Sequence, residues 1–263
     1  MASAPRRQRA TADGPGAPVK SALRVLRVLE TFAQARAPLP LSELARRLDI
    51  PVSACHGLVR TLGARGYLYE TAPRRGYYPT LRWLDQARVV AAHDPLLERV
   101  GAAMEELARL SGETVVFATR AGAMAVYLRV VESASAIRYS AQAGDLRPLH
   151  ASSVGKALLM RMSVTERRAA LGGGRLARIT ARTITRGDRL EAELAASAAR
   201  GFSESRGEHV PDVHAVAVPL AIGSATHALA IAGPAHRMAD GAAAHARLLL
   251  RLSRSLEGSG GPT

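Results

Sequence analysis

The sequence predicts an α+β chain in two parts. An N-terminal winged helix-turn-helix comes first, then a linker helix and an α+β domain built on an antiparallel sheet. Three observations predict it. Two short amphipathic helices meet at a tight break around Pro51. A β-prone hairpin with a basic tip follows them directly. Beyond residue 112 the apolar period shifts from helical to strand-like, and the order becomes strands, helices, strands, helix, which suits an antiparallel sheet with helices to one side or end.

Residues 1–19 are rich in Pro, Gly and Arg without an apolar stretch. They read as a disordered basic tail, not a secretory signal. From Lys20 to Phe32, Leu23, Leu26 and Leu29 with Val25, Val28 and Phe32 form an apolar stripe. It is wider than packing on one short helix pair needs, so part of it is available to a second subunit. Leu41, Leu44, Ala45 and Leu48 then recur at helical spacing. Pro51 cannot continue that helix but suits the first turn of the next. In this second helix Leu58 and Leu62 form the inner face, and Ser53, His56 and Arg60 the outer one. A helix, a turn and a second helix with a polar face can lay that second helix in the DNA major groove. Tyr67-Leu68-Tyr69 and Gly76-Tyr77-Tyr78 are β-prone runs enclosing a polar turn with Arg74 and Arg75. They read as a wing whose arginines meet phosphate or enter the minor groove.

Leu81 to Ala92 is a linker helix, ended at His93-Asp94-Pro95; Pro95 opens a helix running to about Leu110 with Leu96, Val100, Met104, Leu107 and Leu110 on one face. Strands are expected at 113–119, 123–131 and 136–140, then a polar loop from Ala141 to His150. Helices follow at 151–162, 163–171 and 189–200, strands at about 202–205, 213–222 and 227–232, and a last helix at about 238–255. The expected domains are 20–80 for the winged helix-turn-helix, 81–93 for the linker and 94–257 for the second domain, with a disordered tail at 258–263.

With 263 residues, 48% hydrophobic but only 4% aromatic, the chain has a core of Leu, Val and Ala. Its net charge is +14: residues 1–90 hold 15 Lys and Arg against 6 acids, and the remaining +5 is spread over a longer stretch. A basic excess placed where the helix pair lies suits a polyanion partner. Cys55 is the sole cysteine, so no intrachain disulfide forms; that fits a reducing, cytoplasmic compartment and a small packed residue. The least polar stretch, Ala215 to Ala235, is broken by Pro219, Gly223 and Pro234. It reads as two buried strands, so no membrane partner is expected.

No catalytic residue, metal or cofactor is expected. The sequence has no H-E-x-x-H, C-x-x-C or G-x-S-x-G. Ser152 to Lys156 fails as a phosphate loop, because His150 stands where glycine is needed and Ala157 where a hydroxyl is. His209 and His214 read as surface or core groups. The alternative to a DNA-binding regulator is a small-molecule-binding or catalytic α+β protein whose basic N-terminal module mediates protein interaction.

Several motifs stand in order over about residues 20–255: PLPLSELARRLDIP from Pro38, RTLGARGYL from Arg60, Gly112-Glu113-Thr114-Val115, PLHASSVGKA from Pro148, Gly201-Phe202 with Glu208, and Gly233-Pro234. In these the chain resembles the IclR family of bacterial transcription regulators. The resemblance implies a winged helix-turn-helix joined by a linker helix to an effector-binding domain. It also implies a dimer or tetramer on double-stranded operator DNA, with Ser53, His56 and Arg60 in the groove and Arg46, Arg47, Arg74 and Arg75 on phosphates. Members commonly carry Lys after the proline, then Ser-Thr, and Arg after the histidine; here those places hold Val52, Ser53-Ala54 and Gly57. The operator is therefore this chain's own. Members that bind small carboxylates carry acid, thiol and hydroxyl groups where this chain has Ser205, Ala215, Ala230 and Ala232, with Glu208 kept. Together with Gly144, Leu149 and Gly155 these are the expected effector-binding residues. Methyl groups in place of polar ones predict an aromatic or aliphatic acid, with its carboxylate near the helix start at Gly155.

Overall fold

A computed structural model describes residues 19–72 and 76–258. The chain divides into two compact units, one ending at His93 and the other beginning at Asp94. The two expected tails lie largely, and Arg74 and Arg75 wholly, outside the described residues.

The first unit holds α1 (Lys20–Ala35), α2 (Leu41–Leu48), α3 (Val52–Ala64), the hairpin β1 (Leu68–Ala72) and β2 (Gly76–Pro79), and α4 (Arg82–Ala92). Its core joins Val28 and Phe32 of α1, Leu44 and Leu48 of α2, and Cys55, Val59 and Leu62 of α3. The inner face of α3 is therefore set by Cys55 and Val59 with Leu62, while Leu58 is only half-buried. Burial pushes the Cys55 thiol pKa up, so it packs as a small apolar group. The turn between α2 and α3 closes on Asp49, whose N–H reaches the carbonyls of Ala45 and Arg46. The wing is antiparallel, Tyr69 opposite Tyr78, and Leu39 bridges to Tyr77 as a third short edge. Glu70, Thr71 and Ala72, expected in the turn, belong to β1. Helix α4 buries none of its residues.

The second unit holds α5 (Pro95–Ser111), β3 (Thr114–Ala121), β4 (Met124–Val131), β5 (Leu146–Pro148), α6 (Ser153–Met160), α7 (Val164–Leu171), α8 (Gly187–Arg200), β6 (Ser203–Arg206), β7 (Val213–Ile222), β8 (Ala225–Pro234) and α9 (Ala235–Gly258). The strands form one antiparallel sheet in the order β5-β4-β3-β8-β7-β6. Side chains alternate across it. Val115 and Phe117 pack with α5 and α9, whereas Val116 and Ala118 pack with α6 and α8. The α6 side is floored by small residues, Ala118, Ala125, Ala217, Ala228 and Ala230. Asp94 caps α5 by accepting from the N–H groups of Leu96 and Leu97, with Pro95 in the first turn.

Residues 136–140 are not the expected strand. They run as a loop stitched by side chains: Thr114 Oγ1 donates to the Tyr139 carbonyl at 2.6 Å, and Ser140 Oγ to Glu132 Oε1 at 2.6 Å. The edge is taken instead by β5, from the stretch expected to be a polar loop. Only three residues long and ending in Pro148, it can lie nowhere but at an edge.

His209, His214, His227 and His245 are all held below their ordinary pKa of 6.5, chiefly by burial. The folded chain keeps them neutral where the unfolded chain takes up protons. Stability is thus complete above 6.5 and expected to fall as pH drops below it, by about 1 kcal/mol or more per pH unit. Urea midpoints at pH 7.5 and 5.5 measure this; equal midpoints would refute it.

Candidate functional site

On α3 the buried stripe Cys55, Val59, Leu62 leaves Ser53, His56 and Arg60 exposed together on the outer face, at helical intervals of three and four. Arg60 has no side-chain hydrogen bond or ion pair among the described residues. Arg46 and Arg47 on α2 are both engaged by Glu43. Arg46 grips it through Nε at 2.8 Å and Nη2 at 2.7 Å, and Arg47 through Nε at 2.7 Å. These hydrogen bonds hold the Glu43 carboxyl down at about 2. Exposed pairs of this kind are weak, so a phosphate can displace Glu43.

Gly57 lies on the same helix, and a Cβ there would meet nothing within 4 Å. Packing therefore gives no reason for glycine. Gly57→Ala is expected to stabilise the chain by about 1 kcal/mol, read as a higher urea midpoint. If DNA affinity falls at the same time, the bare backbone makes a close approach to DNA; a lower midpoint would refute the assignment.

In the second unit the cross-strand register brings distant positions together. Ser205 pairs with Ala215, which pairs with Ala232; Ala230 pairs with Val116. These five residues line one cavity on the α6 side of the sheet. Tyr127, Tyr139 and Arg147 line it too, with Ser152, Ser153 and Val154 at the start of α6 and His209 from the stretch after β6. The free volume is about 30 Å³, room for about one or two waters. The cavity is narrow, far smaller than an aromatic acid needs, so a ligand has to part its walls.

Arg147 is the cation of this cavity, and its side chain is only 16% exposed. Nη2 donates to Asp145 Oδ2 at 2.9 Å, and Nε and Nη2 both donate to Tyr139 Oη at 3.2 Å. The guanidinium stacks 5.1 Å from the Tyr127 ring centre. Burial opposes its charge, but the Tyr139 contacts and nearby groups keep its pKa above the ordinary value. Burial, then the Arg147 charge, push His209 down. Near neutral pH the cavity thus has one permanent cation and a neutral imidazole.

Four of the expected effector residues, Ser205, Ala215, Ala230 and Ala232, line the cavity, and four do not. Ser205 spends its hydroxyl on the Ala151 carbonyl at 3.2 Å. Glu208 is bonded by Lys156 Nζ at 2.5 Å. Leu149 is fully buried, and a Cβ on Gly155 would fall 2.4 Å from its backbone. Gly155 is thus a packing glycine, and its N–H is taken by Ser152 Oγ at 3.2 Å. At the start of α6 it is Ser153 and Val154 that line the cavity. Gly144 donates its N–H to the Tyr127 carbonyl at 2.8 Å, behind the cavity wall. Sequence reasoning missed Tyr127, Tyr139, Arg147 and His209. The one available signal was Arg147 itself, a cation directly before the PLHASSVGKA motif.

Among the described residues no helix is long and apolar enough to cross a membrane, and no group of His, Cys, Asp and Glu is arranged to hold a metal.

Comparison with known proteins bears on both units. Residues 88–256 match the family model described as bacterial transcriptional regulator IclR C-terminal, and residues 21–72 match the IclR helix-turn-helix domain. The HTH-type transcriptional regulator BhcR of Paracoccus denitrificans is 29% identical over 240 residues, covering 89% of this chain and 86% of that one. A transcriptional regulator from Rhodococcus sp. RHA1 superposes with a TM-score of 0.74 at 26% identity, covering 92% of this chain and 98% of its own. An IclR homologue of Microbacterium hydrocarbonoxydans, solved with 4-hydroxybenzoate, shares the fold with a TM-score of 0.73 at 23% identity, over 89% of this chain and 96% of that one.

Proposed function

The chain belongs to the IclR family of bacterial transcription regulators, with a helix-turn-helix DNA-binding domain and a C-terminal ligand-binding domain, and on that premise we propose which residues act. Ser53, His56 and Arg60 read base edges from α3 in the major groove, while Arg46, Arg47, Arg74 and Arg75 meet phosphates. Residues 20–80 are the DNA-binding domain, 81–93 the linker and 94–257 the effector domain. The chain works in the cytoplasm as a regulator and not as an enzyme.

The effector is an aromatic or aliphatic acid. The observation that carries this is Arg147, a largely buried cation that is paired with Asp145 and lines one cavity with Val116, Ala215, Ala230 and Ala232. A guanidinium takes a carboxylate in two parallel hydrogen bonds, and the methyl wall takes the hydrocarbon. Since the cavity is too small to hold the acid, the acid binds a widened state and shifts the population toward it. It thereby alters DNA affinity.

The chain acts as a homodimer or tetramer, each copy reading one half-site. Val19, Leu23 and Leu26 at α1, and Leu81, Leu84, Val89 and Val90 at α4, are large apolar residues left exposed. That much apolar surface on one small domain marks a protein contact.

Anisotropy titrations test the reading: the intergenic DNA beside the chain's own gene against scrambled DNA, at physiological salt, with and without an acid. 4-Hydroxybenzoate, the compound held by the Microbacterium homologue, is the first probe. Preference of roughly a thousandfold, falling steeply with salt, is expected. Equal weak binding to both DNAs across the genomic neighbourhood would sink it. Arg60→Ala is expected to cost about 1–3 kcal/mol and relax sequence preference, whereas Arg75→Ala weakens all sequences alike. If neither change alters affinity, the DNA-binding face lies elsewhere.

A further inference from the structure

The effector domain has a far roomier concavity than the acid cavity. It is an open depression of about 760 Å³ formed by residues 175–189, from the loop after α7 into the first turn of α8. Arg175, Arg178, Arg182, Arg186 and Arg189 all line it, against one acid, Asp188. Asp188 is already consumed by Arg186, which donates through Nε at 3.0 Å and Nη2 at 2.5 Å. Arg178 donates to the Ala181 carbonyl at 3.2 Å. The guanidinium groups of Arg175, Arg182 and Arg189 have no hydrogen-bond or ion-pair partner among the described residues.

Five cations around one hollow repel one another. They also crowd the positive end of α8, whose N-cap residue Arg186 makes no capping bond and whose first turn holds one acid, Asp188, on the Arg189 N–H at 2.9 Å. Left empty, the arrangement works against the fold. The loop is nevertheless held in place: Thr180 Oγ1 donates to the Gly207 carbonyl and Thr183 Oγ1 to the Glu208 carbonyl, each at 2.7 Å. Arginines presented on a tethered loop, with donors unspent, are suited to recognising an anion of high charge density.

We propose that this depression binds a compact polyanion carrying two or more phosphate groups. Guanidinium groups match phosphate oxygens in charge and geometry. The volume lies within the range of small-molecule sites, and a concave floor fits a compact anion better than a rod of duplex DNA. The site shares no lining residue with the acid cavity and does not rest on the acid reading. The loop's tether does end between Ser205 and His209 of that cavity wall, so the two sites share a support.

Calorimetric titration of the full chain with inorganic pyrophosphate at physiological salt tests the proposal. Saturable binding of one pyrophosphate per chain, tighter than orthophosphate, is expected, with a thermal midpoint that rises with ligand. Arg182→Ala/Arg189→Ala removes two exposed side chains and should weaken binding roughly tenfold or more, while Arg60→Ala on the DNA face leaves it unchanged. Absence of saturable binding, equal affinity for orthophosphate, or binding that the double variant leaves intact would each overturn it. So would a double variant whose only defect is weaker binding of random duplex DNA, since the hollow would then be a DNA contact.

Discussion

Replacing Lys156 with methionine is expected to cost the effector domain about 3–5 kcal/mol of stability, measured by urea unfolding at neutral pH. Lys156 sits on α6, a helix with seven consecutive buried residues from Ser153 to Leu159. Its side chain is 1% exposed, and its ammonium bonds Glu208 Oε1 and, at 3.0 Å, the Glu204 carbonyl. Glu208 Oε2 has no partner, so the carboxylate leans wholly on this lysine. Removing the lysine leaves a buried charge uncompensated. Removing both charges is a different matter, because a buried pair returns little more than its own desolvation. Lys156→Met/Glu208→Leu is therefore expected to recover most of the loss. Such recovery would show strong coupling between neighbours. A single variant within about 1 kcal/mol of wild type would refute the argument, as would a double variant no better than the single.

That pair also shows where sequence reading stops. The spacing of Leu44, Leu48 and Leu62 revealed the helix pair, and the turn chemistry around Pro51 and Pro95 placed two helix starts, because these signals are local. The wing was legible from Tyr69 and Tyr78 for the same reason. That Ser205, Ala215, Ala230 and Ala232 lie together was legible too, since the motifs fixed their strands and register did the rest. Glu208 was not. A glutamate in a loop reads as a solvated or ligand-facing acid until a lysine 52 residues earlier is seen to occupy it. Residues 136–140 misled because alternating Ile137 and Tyr139 suit a strand. Yet Ile137 is exposed and Tyr139 is held through its carbonyl by Thr114. Edge pairing over three residues has no periodicity long enough to detect, so β5 stayed hidden, and with it Arg147.

Arg147 carries the second large effect. Arg147→Leu is expected to abolish the DNA response to acid, with a loss of about 2–5 kcal/mol in acid affinity, or roughly 30-fold to several thousandfold. A structural objection has to be met, because Arg147 also braces Tyr139, Asp145 and the Tyr127 ring. Loss of that brace alone could loosen the cavity for every ligand. The discriminating comparison is therefore an aromatic acid against its neutral amide, matched in shape. Wild type should prefer the acid strongly, since a buried guanidinium is worth most to a charge. Arg147→Leu should bind both weakly and alike, and Arg147→Lys should restore the charge without the two-pronged geometry, recovering only part of the preference. His209 supplies no competing charge, because burial and Arg147 hold it below its ordinary pKa, so the acid preference should be level from pH 7 to 8. If Arg147→Leu keeps the acid-over-amide preference, the carboxylate is held elsewhere. The start of α6 at Ser153 and Val154, which line the cavity, is then the next candidate to hold it.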